Sequence, residues 1–189
     1  GSMGKRRIRN LQKLGYKKIL GFDVRSDRIQ EVSNLYKIST FSNMKDALKQ
    51  KPNVIIISTP PNLHKEYANI AIKNKINFFM ELNLFSKDVK KIIKFVSGKD
   101  IKAFPSCTMK FHPVVKKLKK LLESQPIGKI LMIEHHSGFF LPYWHPWEDY
   151  KTFFASKKET GGAKELFPID LMWITSLFAD VKSVHARVG

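Results

Sequence analysis

The stretch GSMGKRRIRNLQKLGYKKILGFD, residues 1–23, decides the fold. A basic helical run follows its first glycines and ends at Gly15, and the apolar strand after it closes on Asp23. In a dinucleotide-binding fold, glycines let the backbone approach the pyrophosphate, and the N-terminus of the next helix holds its charge. An acidic residue about twenty positions further on accepts the ribose hydroxyls. The stretch therefore predicts a ribose carboxylate at Asp23 and the end of a phosphate loop at Gly1, Ser2, Met3 and Gly4.

Asp23 also bears on the choice of dinucleotide. A carboxylate that accepts both ribose hydroxyls favours NAD over NADP, although Arg28, with Arg25 beside it, could accept a 2′-phosphate and keeps NADP open. Two further alternatives stay open. Asp23 could be a helix cap or turn residue, and residues 1–3 could be an expression-tag remnant that leaves Gly4 as the only native glycine of the loop.

Up to Ser106, short apolar strands alternate with amphipathic helices. The helices are expected to begin near Lys5, near Asp27 with Ser26 as its cap, and at Met44, His64 and Ser86. The expected strands are KKILGFD, KIST, NVIIISTP, INFFMEL and KAFPS. This alternation is typical of a parallel sheet covered on both faces, with ligands at the carboxyl ends of its strands. It predicts a Rossmann-type α/β domain, a doubly wound parallel sheet, over residues 1–107.

Beyond residue 107 the pattern changes. We expect helices at FHPVVKKLKKLLES and LFPIDLMWITSLF, strands at KILMIEHHSGFF and VKSVHARV, and an aromatic-rich loop from LPYWHPWEDY to GGA. These elements predict a second, α+β domain over residues 108–189, built on an open antiparallel sheet. Because the last strand has no visible partner after it, we expect this domain to be truncated.

The charge is unusually positive. The chain has 34 Lys and Arg against 16 Asp and Glu, a formal +18, which raises nucleic acid as a possible partner. The lysines on residues 116–120 lie opposite an apolar helix face, and no aromatic-interleaved basic motif occurs. We therefore favour a solvated lysine surface over a nucleic-acid footprint.

Other residue types limit the class of protein. A single cysteine, Cys107, allows no internal disulfide and no thiolate-rich metal site. The expected strand carries His135 and His136 on opposite faces, and no cluster of His, Asp and Glu has metal-ligand spacing, so no metal is predicted. Since no apolar run is long enough to span a bilayer, we expect a soluble, cytoplasmic protein with no membrane partner.

Several stretches in this order carry a family resemblance: GSMGKRRIRNL, the strand ending in Asp23, STPPNLH, FHPVVKKLKKLLESQPIGKI, and LPYWHPWEDY with GGA downstream. Together they resemble the Gfo/Idh/MocA family of nicotinamide-dependent oxidoreductases over essentially the whole chain. The LPYWHPWEDYK stretch is most similar to members that act on sugars or sugar nucleotides. The resemblance implies an NAD(P)-dependent enzyme that transfers hydride between nicotinamide and a carbon of such a substrate.

The resemblance also bears on the ends of the chain. Members begin with a short apolar strand and one further glycine before GSMG, and they continue well past residue 189. We therefore expect both ends to be missing here. The family's second-domain sheet often mediates oligomers, which implies a homo-oligomer for the full-length protein.

The resemblance assigns a cofactor site position by position. Besides the loop glycines, Asp23 and Arg28, it places Thr59, Pro60, Asn62 and His64 on the segment passing the ribose and nicotinamide. Glu81 matches the glutamate of the family's Glu-Lys-Pro motif, but the chain continues with Leu82 and Asn83. Leucine cannot transfer a proton as the family's lysine does. The family's second landmark, a histidine, is also missing, since Pro168 and Asp170 lie near its expected position.

Oxidation of a carbinol needs a base for the hydroxyl proton. The remaining candidates are Lys110, His145, Asp149, Tyr150, Glu165 and Asp170. We favour His145, with Tyr150 beside it, because prolines at 142 and 146 stiffen its loop and Asp149 could orient its ring. His145, Trp144 and Trp147 could instead stack on a sugar or pack a domain junction without taking part in the chemistry. Lys110 and His112 are candidates for holding the substrate, although His112 could equally begin a helix.

Two alternative functions stay open. The residues Leu82 and Pro168 permit a family member that binds cofactor or sugar but has lost turnover. The +18 charge permits a nucleic-acid-binding protein, whose DNA binding would be steeply salt-dependent and unaffected by Asp23→Ala.

Overall fold

The computed structural model describes residues 1–82, 85–178 and 180–187, with the side chains of all of these but 163–165. The chain divides into two compact units, Gly1–Pro105 and Ser106–Gly189. No helix within the described ranges is long and apolar enough to cross a membrane.

Helices and strands alternate in the first unit, as predicted. Its helices are α1 (Ser2–Lys13), α2 (Ser26–Tyr36), α3 (Met44–Lys49), α4 (His64–Lys73) and α5 (Ser86–Val96). Its strands are β1 (Leu20–Phe22), β2 (Ser39–Phe41), β3 (Val54–Ile57), β4 (Asn77–Met80) and β5 (Ala103–Pro105). A single 3-10 turn, Pro61–Leu63, leads into α4. Short strands joined by helices are the expected form of a parallel α/β unit.

All strand pairs in this unit are parallel. One sheet pairs β1 with β2, so that Leu20 lies opposite Ser39, and the other has the order β3-β4-β5. Each crossover passes through a helix, the connection that parallel strands require. This arrangement confirms the predicted Rossmann-type α/β fold. In each sheet the carboxyl ends of the strands lie at the same edge, which is the edge where ligands bind parallel sheets.

Two apolar clusters hold these elements together. The larger cluster packs α4 and α5 against β3 and β4, and the smaller joins α1, α2 and the residue before β2. Phe78, only 2% exposed, is the largest buried side chain of the larger cluster, and its burial stabilises the unit by about 2 kcal/mol. The members of the larger cluster are Ile57, Ala68, Ala71, Ile72, Phe78, Met80, Ile92 and Ile101, and those of the smaller are Ile8, Val32 and Ile38.

Two helix starts differ from the sequence prediction. Helix α1 begins at Ser2 instead of Lys5, because the N–H of Lys5 donates to the carbonyl of Gly1 (3.0 Å) and closes a first turn before the basic run. Ser26 does not cap α2 but is its first residue, with extended Arg25 in the cap position. The side chain of Asp27 supplies the acidic group of the first turn, which the helix dipole favours.

Helices α6 (Pro113–Ser124), α7 (Leu141–Trp144) and α8 (Ala163–Leu177) form the second unit, with 3-10 turns at Thr108–Phe111 and Phe154–Ser156. Helix α8 packs on the first 3-10 turn and on α6. Helix α7 is a single turn inside the predicted aromatic loop, with Pro142 in its first turn, where the missing N–H does no harm.

The two strands predicted for the second unit are not formed. Among the described residues, 129–140 and 181–187 belong to no strand, and the predicted antiparallel sheet is absent from them. A strand needs a neighbouring strand to pair its N–H and C=O groups, and neither segment is paired with another here. Leu131 on the first segment is accordingly 89% exposed.

Candidate functional site

The N-terminus of α1 meets the carboxyl end of β1. Asp23 directly follows β1, and its Oδ2 atom lies 3.6 Å from the backbone nitrogen of Gly1 and 3.8 Å from Nη1 of Arg28. The N–H of Arg25 donates to the other carboxylate oxygen (3.1 Å). The structure thus brings together three of the residues predicted for a dinucleotide.

The glycines of α1 lie close to other parts of the unit. A Cβ added to Gly4 would come 4.0 Å from Cβ of Ser58, at the end of β3, and one added to Gly1 would come 3.7 Å from Nη1 of Arg28. Ser2 and Met3 form the turn between them. The ends of β1 and β3 therefore flank a helix N-terminus whose free N–H groups can bind an anion.

Three polar atoms on the segment between β3 and the first residue of α4 are buried without a hydrogen-bond partner within the described ranges: Ser58 Oγ, Thr59 Oγ1 and His64 Nδ1. An unsatisfied buried polar atom costs about 1–3 kcal/mol. Ser58 and Thr59 directly follow β3, where ligands bind parallel sheets, so these atoms indicate a site that a polar ligand completes. A carboxylate, an open helix N-terminus and these atoms are the donor and acceptor set that a dinucleotide needs.

His64 is the most buried of the predicted site residues, at 1% exposure. Burial lowers the pKa of its imidazole, which favours the neutral ring. Its Nε2–H donates to the carbonyl of Thr59 (2.8 Å), which leaves a lone pair on Nδ1. Pro60 and Asn62 lie on the exposed turn before it, where the side chain of Asn62 is open to a ligand.

Glu81, at the end of β4, is bound by a residue that the sequence analysis missed. Nη2 and Nε of Arg7 lie 2.6 Å and 2.8 Å from its Oε1, and both side chains are 16% exposed. The Arg7 guanidinium also lies over the ring of Phe79, 4.8 Å from its centroid. No motif marks Arg7 among the neighbouring basic residues. Leu82 follows Glu81, and Asn83 lies outside the described residues.

His145 is enclosed by aromatic rings in the second unit. The Trp147 ring stacks on it at 4.9 Å, the Phe153 ring lies at 4.3 Å, and its side chain is 14% exposed. Trp144 stacks on Phe139 at 5.5 Å and meets the ring of His145 edge-on. These rings form what we call the aromatic cluster: Phe139, Trp144, His145, Trp147 and Phe153.

The prediction that Asp149 orients the ring of His145 is wrong. Its Nδ1 lies 2.7 Å from Oε1 of Glu148, whereas Asp149 accepts the N–H of Lys151. The turn explains the difference, because the N–H of Glu148 donates to the carbonyl of His145 (3.1 Å) and holds the Glu148 side chain within reach of Nδ1.

The other predicted residues of this unit are spread out. Lys110 is exposed on the first 3-10 turn, and Tyr150 is 37% exposed. His112 caps α6, since its Nδ1 accepts the N–H of Val114 (3.3 Å), which is the helix-start role left open above. No hydrogen bond or ion pair joins Lys110 or His112 to His145 in the described part of the chain, and the side chain of Glu165 lies outside it.

Asp170 on α8 has a partner that sequence reasoning did not find. Nε2 of His135 lies 3.1 Å from its Oδ2, and the indole N–H of Trp173 donates to its Oδ1 (3.4 Å). No sequence spacing links positions 135 and 170, so only the fold could reveal this pair. Over the described ranges, no group of three or more His, Cys, Asp and Glu could hold a metal ion.

Residues 1–98 match the Gfo/Idh/MocA family model, described as an oxidoreductase family with an NAD-binding Rossmann fold. Because the match covers more than half of the chain, the chain belongs to this family. The membership confirms the predicted family and the NAD-binding Rossmann type of fold.

Individual relatives agree with this assignment. Oxidoreductase P35 of Formosa agariphila is 27% identical over 112 residues, 57% of this chain and 35% of the relative. Myo-inositol 2-dehydrogenase of Lactobacillus plantarum is similar in structure, with a TM-score of 0.63 and 23% identity over 69% of this chain and 41% of that one. The WlbA (WbpB) dehydrogenase of Thermus thermophilus, solved with NAD and UDP-GlcNAcA, has a TM-score of 0.73 and 16% identity over 100% of this chain and 64% of that one. The chain therefore spans about a third to two thirds of the length of these relatives.

Proposed function

We propose that this protein is an NAD-dependent oxidoreductase that transfers hydride between nicotinamide and a carbinol carbon of a sugar or sugar nucleotide. The observation that carries the proposal is the meeting of Gly1 and Asp23 at the open N-terminus of α1. The unpartnered polar atoms of Ser58, Thr59 and His64 lie on the neighbouring strand end and turn.

The charges around Asp23 favour NAD over NADP. The carboxylate would repel a 2′-phosphate, and the nearest arginines already face carboxylates. Arg28 lies 3.8 Å from Asp23, and the hydrogen bond from Arg25 lowers the pKa of Asp27 to about 2. Asp23 would then hold the ribose hydroxyls and the N–H groups of α1 the pyrophosphate, while Thr59, Pro60, Asn62 and His64 line the path toward the nicotinamide.

The substrate class follows from the aromatic cluster. An exposed aromatic ring suits the apolar face of a sugar ring, and Trp147 is 70% exposed. Lys110 is an exposed cation suited to a sugar-nucleotide phosphate. The solved structure of the Thermus thermophilus relative contains a sugar nucleotide, and levoglucosan dehydrogenase, another structural neighbour, was solved with NADH and levoglucosan. The bound nicotinamide supplies the hydride acceptor.

Titration calorimetry with NAD tests the cofactor site. Asp23→Ala removes charged hydrogen bonds worth about 1.5–3 kcal/mol, so we expect NAD affinity to fall at least tenfold. Asp46→Ala is the matched control, because Asp46 forms an exposed ion pair with Lys49 on α3. Absence of both NAD(H) and NADP(H) binding, or equal affinity of the two variants, would contradict the proposal.

A second candidate function rests on Leu82. Where relatives carry a proton-transferring lysine, this chain has an apolar side chain, which is compatible with a family member that binds NAD or sugar without turnover. Incubation with NAD and a panel of sugars and sugar nucleotides separates the two candidates. NAD binding with no absorbance change at 340 nm would favour the inactive binder.

A further inference from the structure

The charged side chains around the predicted ribose carboxylate form two pairs. Nη1 of Arg28 lies 3.8 Å from Oδ2 of Asp23, and the guanidinium of Arg25 meets the carboxylate of Asp27. The second pair is bidentate, since Nε of Arg25 donates to Oδ1 of Asp27 (3.0 Å) and Nη2 donates to Oδ2. A planar guanidinium and a carboxylate match in this arrangement, so the pair has a defined geometry.

The backbone places Arg25 next to Asp23. The N–H of Arg25 donates to Oδ1 of Asp23 (3.1 Å), and the extended backbone of Arg25 occupies the cap position of α2. The Arg25 side chain therefore starts beside the group that would hold the ribose hydroxyls, but its guanidinium is engaged by Asp27. A guanidinium is also suited to bind a phosphate through two parallel hydrogen bonds. Arg25 thus has the chemistry for a 2′-phosphate, and Asp27 occupies it.

Asp27 keeps its negative charge at this position. It lies in the first turn of α2, where the helix dipole favours an anion. The hydrogen bond from Arg25 is the main cause that lowers the pKa of the Asp27 carboxyl to about 2, so the group is ionised at neutral pH. The two carboxylates and the two arginines carry no net charge together, and without Asp27 their sum would be positive.

We propose that Asp27 is a specificity-determining residue that favours NAD over NADP. The proposal rests on the oxidoreductase function and the cofactor site proposed above. Asp27 holds the guanidinium of Arg25 in an ion pair, and its charge adds to the repulsion of a 2′-phosphate by Asp23. NAD has a hydroxyl at this position and leaves the pair intact, whereas NADP has to break it or approach two carboxylates. Because the side chains of the pair are 56% and 62% exposed, the discrimination by Asp27 is modest and adds to that of Asp23.

Titration calorimetry with NAD, NADP and 2′,5′-ADP tests this role. Asp27→Asn keeps the size of the side chain but removes its charge, which releases Arg25 to a 2′-phosphate. We expect the dissociation constants of NADP and 2′,5′-ADP to fall about three- to tenfold and that of NAD to change less than about twofold. Asp46→Asn is the matched control, because it removes one exposed acidic charge that pairs with Lys49. It should leave all three dissociation constants unchanged.

A double variant tests whether the gain in NADP affinity comes from Arg25. Adding Arg25→Gln to Asp27→Asn should remove most of the gain, because no guanidinium is then released. Circular dichroism checks the fold of each variant. An unchanged ratio of NADP to NAD affinity in folded Asp27→Asn, or the full gain in the double variant, would overturn this proposal alone. A wild type that binds NADP more tightly than NAD would overturn it as well. Failure of the wild type to bind NAD(H) or NADP(H) would instead overturn the proposed function on which it rests.

Discussion

At the scale of single residues, Gly161 has no room for a side chain. A Cβ there would lie 1.7 Å from the carbonyl oxygen of Ala155, and the N–H of Gly162 donates to that same oxygen (3.2 Å). Backbone cannot move aside as a flexible side chain can. The turn that leads into α8 therefore depends on glycine at this position.

We expect Gly161→Ala to lower the free energy of unfolding of the second unit by about 3 kcal/mol, because overpacking of this kind displaces backbone. All three tryptophans, Trp144, Trp147 and Trp173, lie in this unit, so urea unfolding followed by tryptophan fluorescence reports on it. Gly138→Ala is the control, since a Cβ there meets nothing within 4 Å. Equal midpoints for the two variants would contradict the prediction.

His64 makes the stability of the first unit depend on pH. Burial lowers the pKa of its imidazole below the ordinary 6.5. At pH below 6.5 the unfolded chain therefore binds a proton that the folded chain does not, and stability falls as pH decreases until the folded pKa is reached. The slope approaches about 1.4 kcal/mol per pH unit.

Thermal melts followed by circular dichroism between pH 7.5 and 5 would measure this effect. We expect the wild type and His112→Gln, which replaces an exposed histidine, to lose stability together, and His64→Gln to lose less over the same range. An identical pH dependence in all three proteins would show that His64 is not responsible.

How far the sequence predicts individual residues depends on chain distance. The meeting of Gly1 and Asp23 is predictable because Gly1 directly precedes α1 and Asp23 directly follows β1, the next element along the chain. The choice between Glu148 and Asp149 as partner of His145 is decided by a hydrogen bond of the turn that no spacing rule specifies. The partners Arg7 of Glu81 and His135 of Asp170 come from distant elements and need the folded chain.

At the scale of elements, the ion pair between Arg7 and Glu81 connects α1 with the end of β4. Both groups are largely buried, and the guanidinium also stacks on Phe79. Breaking such a pair leaves the other charge poorly solvated, which is more damaging than breaking an exposed pair. The pair therefore holds the N-terminal helix, with its glycines, in place beside the strand ends.

We expect Arg7→Met to destabilise the first unit by about 2 kcal/mol, between the values for exposed and buried pairs. Lys5, also on α1, forms a more exposed ion pair with Glu31 of α2, and Lys5→Met should change stability by less than about 1 kcal/mol. Urea unfolding by circular dichroism gives the values. Restored stability in the exchanged double variant Arg7→Glu, Glu81→Arg would confirm a direct interaction, and equal losses for the two methionine variants would contradict it.

Sequence pattern predicts helices better than the strands of the second unit. The periodicities of α4, α5 and α6 are local, and each of these helices begins within two residues of its expected start. Residues 129–140 have the composition of a strand, but a strand also needs a paired neighbour. Pairing joins positions far apart in sequence, and composition does not contain that information.

At the scale of the whole molecule, the +18 charge has to be reconciled with a dinucleotide site. The lysines of α6, Lys116, Lys117, Lys119 and Lys120, are all exposed. The row is partly neutralised where Lys119 lies 3.8 Å from Glu123. Spread over solvated helix faces, such charges attract polyanions without reading sequence.

We expect binding to a labelled DNA duplex to be weak, independent of DNA sequence, and lost between about 50 and 200 mM salt, because it consists of phosphate contacts alone. Fluorescence anisotropy of the duplex against salt concentration measures it. Replacing Lys116 and Lys120 together by Gln should reduce both the affinity and the salt slope, whereas NAD binding should be unchanged. Sequence-selective binding that persists above 200 mM salt would instead favour the nucleic-acid-binding alternative, because charged surface alone cannot provide it.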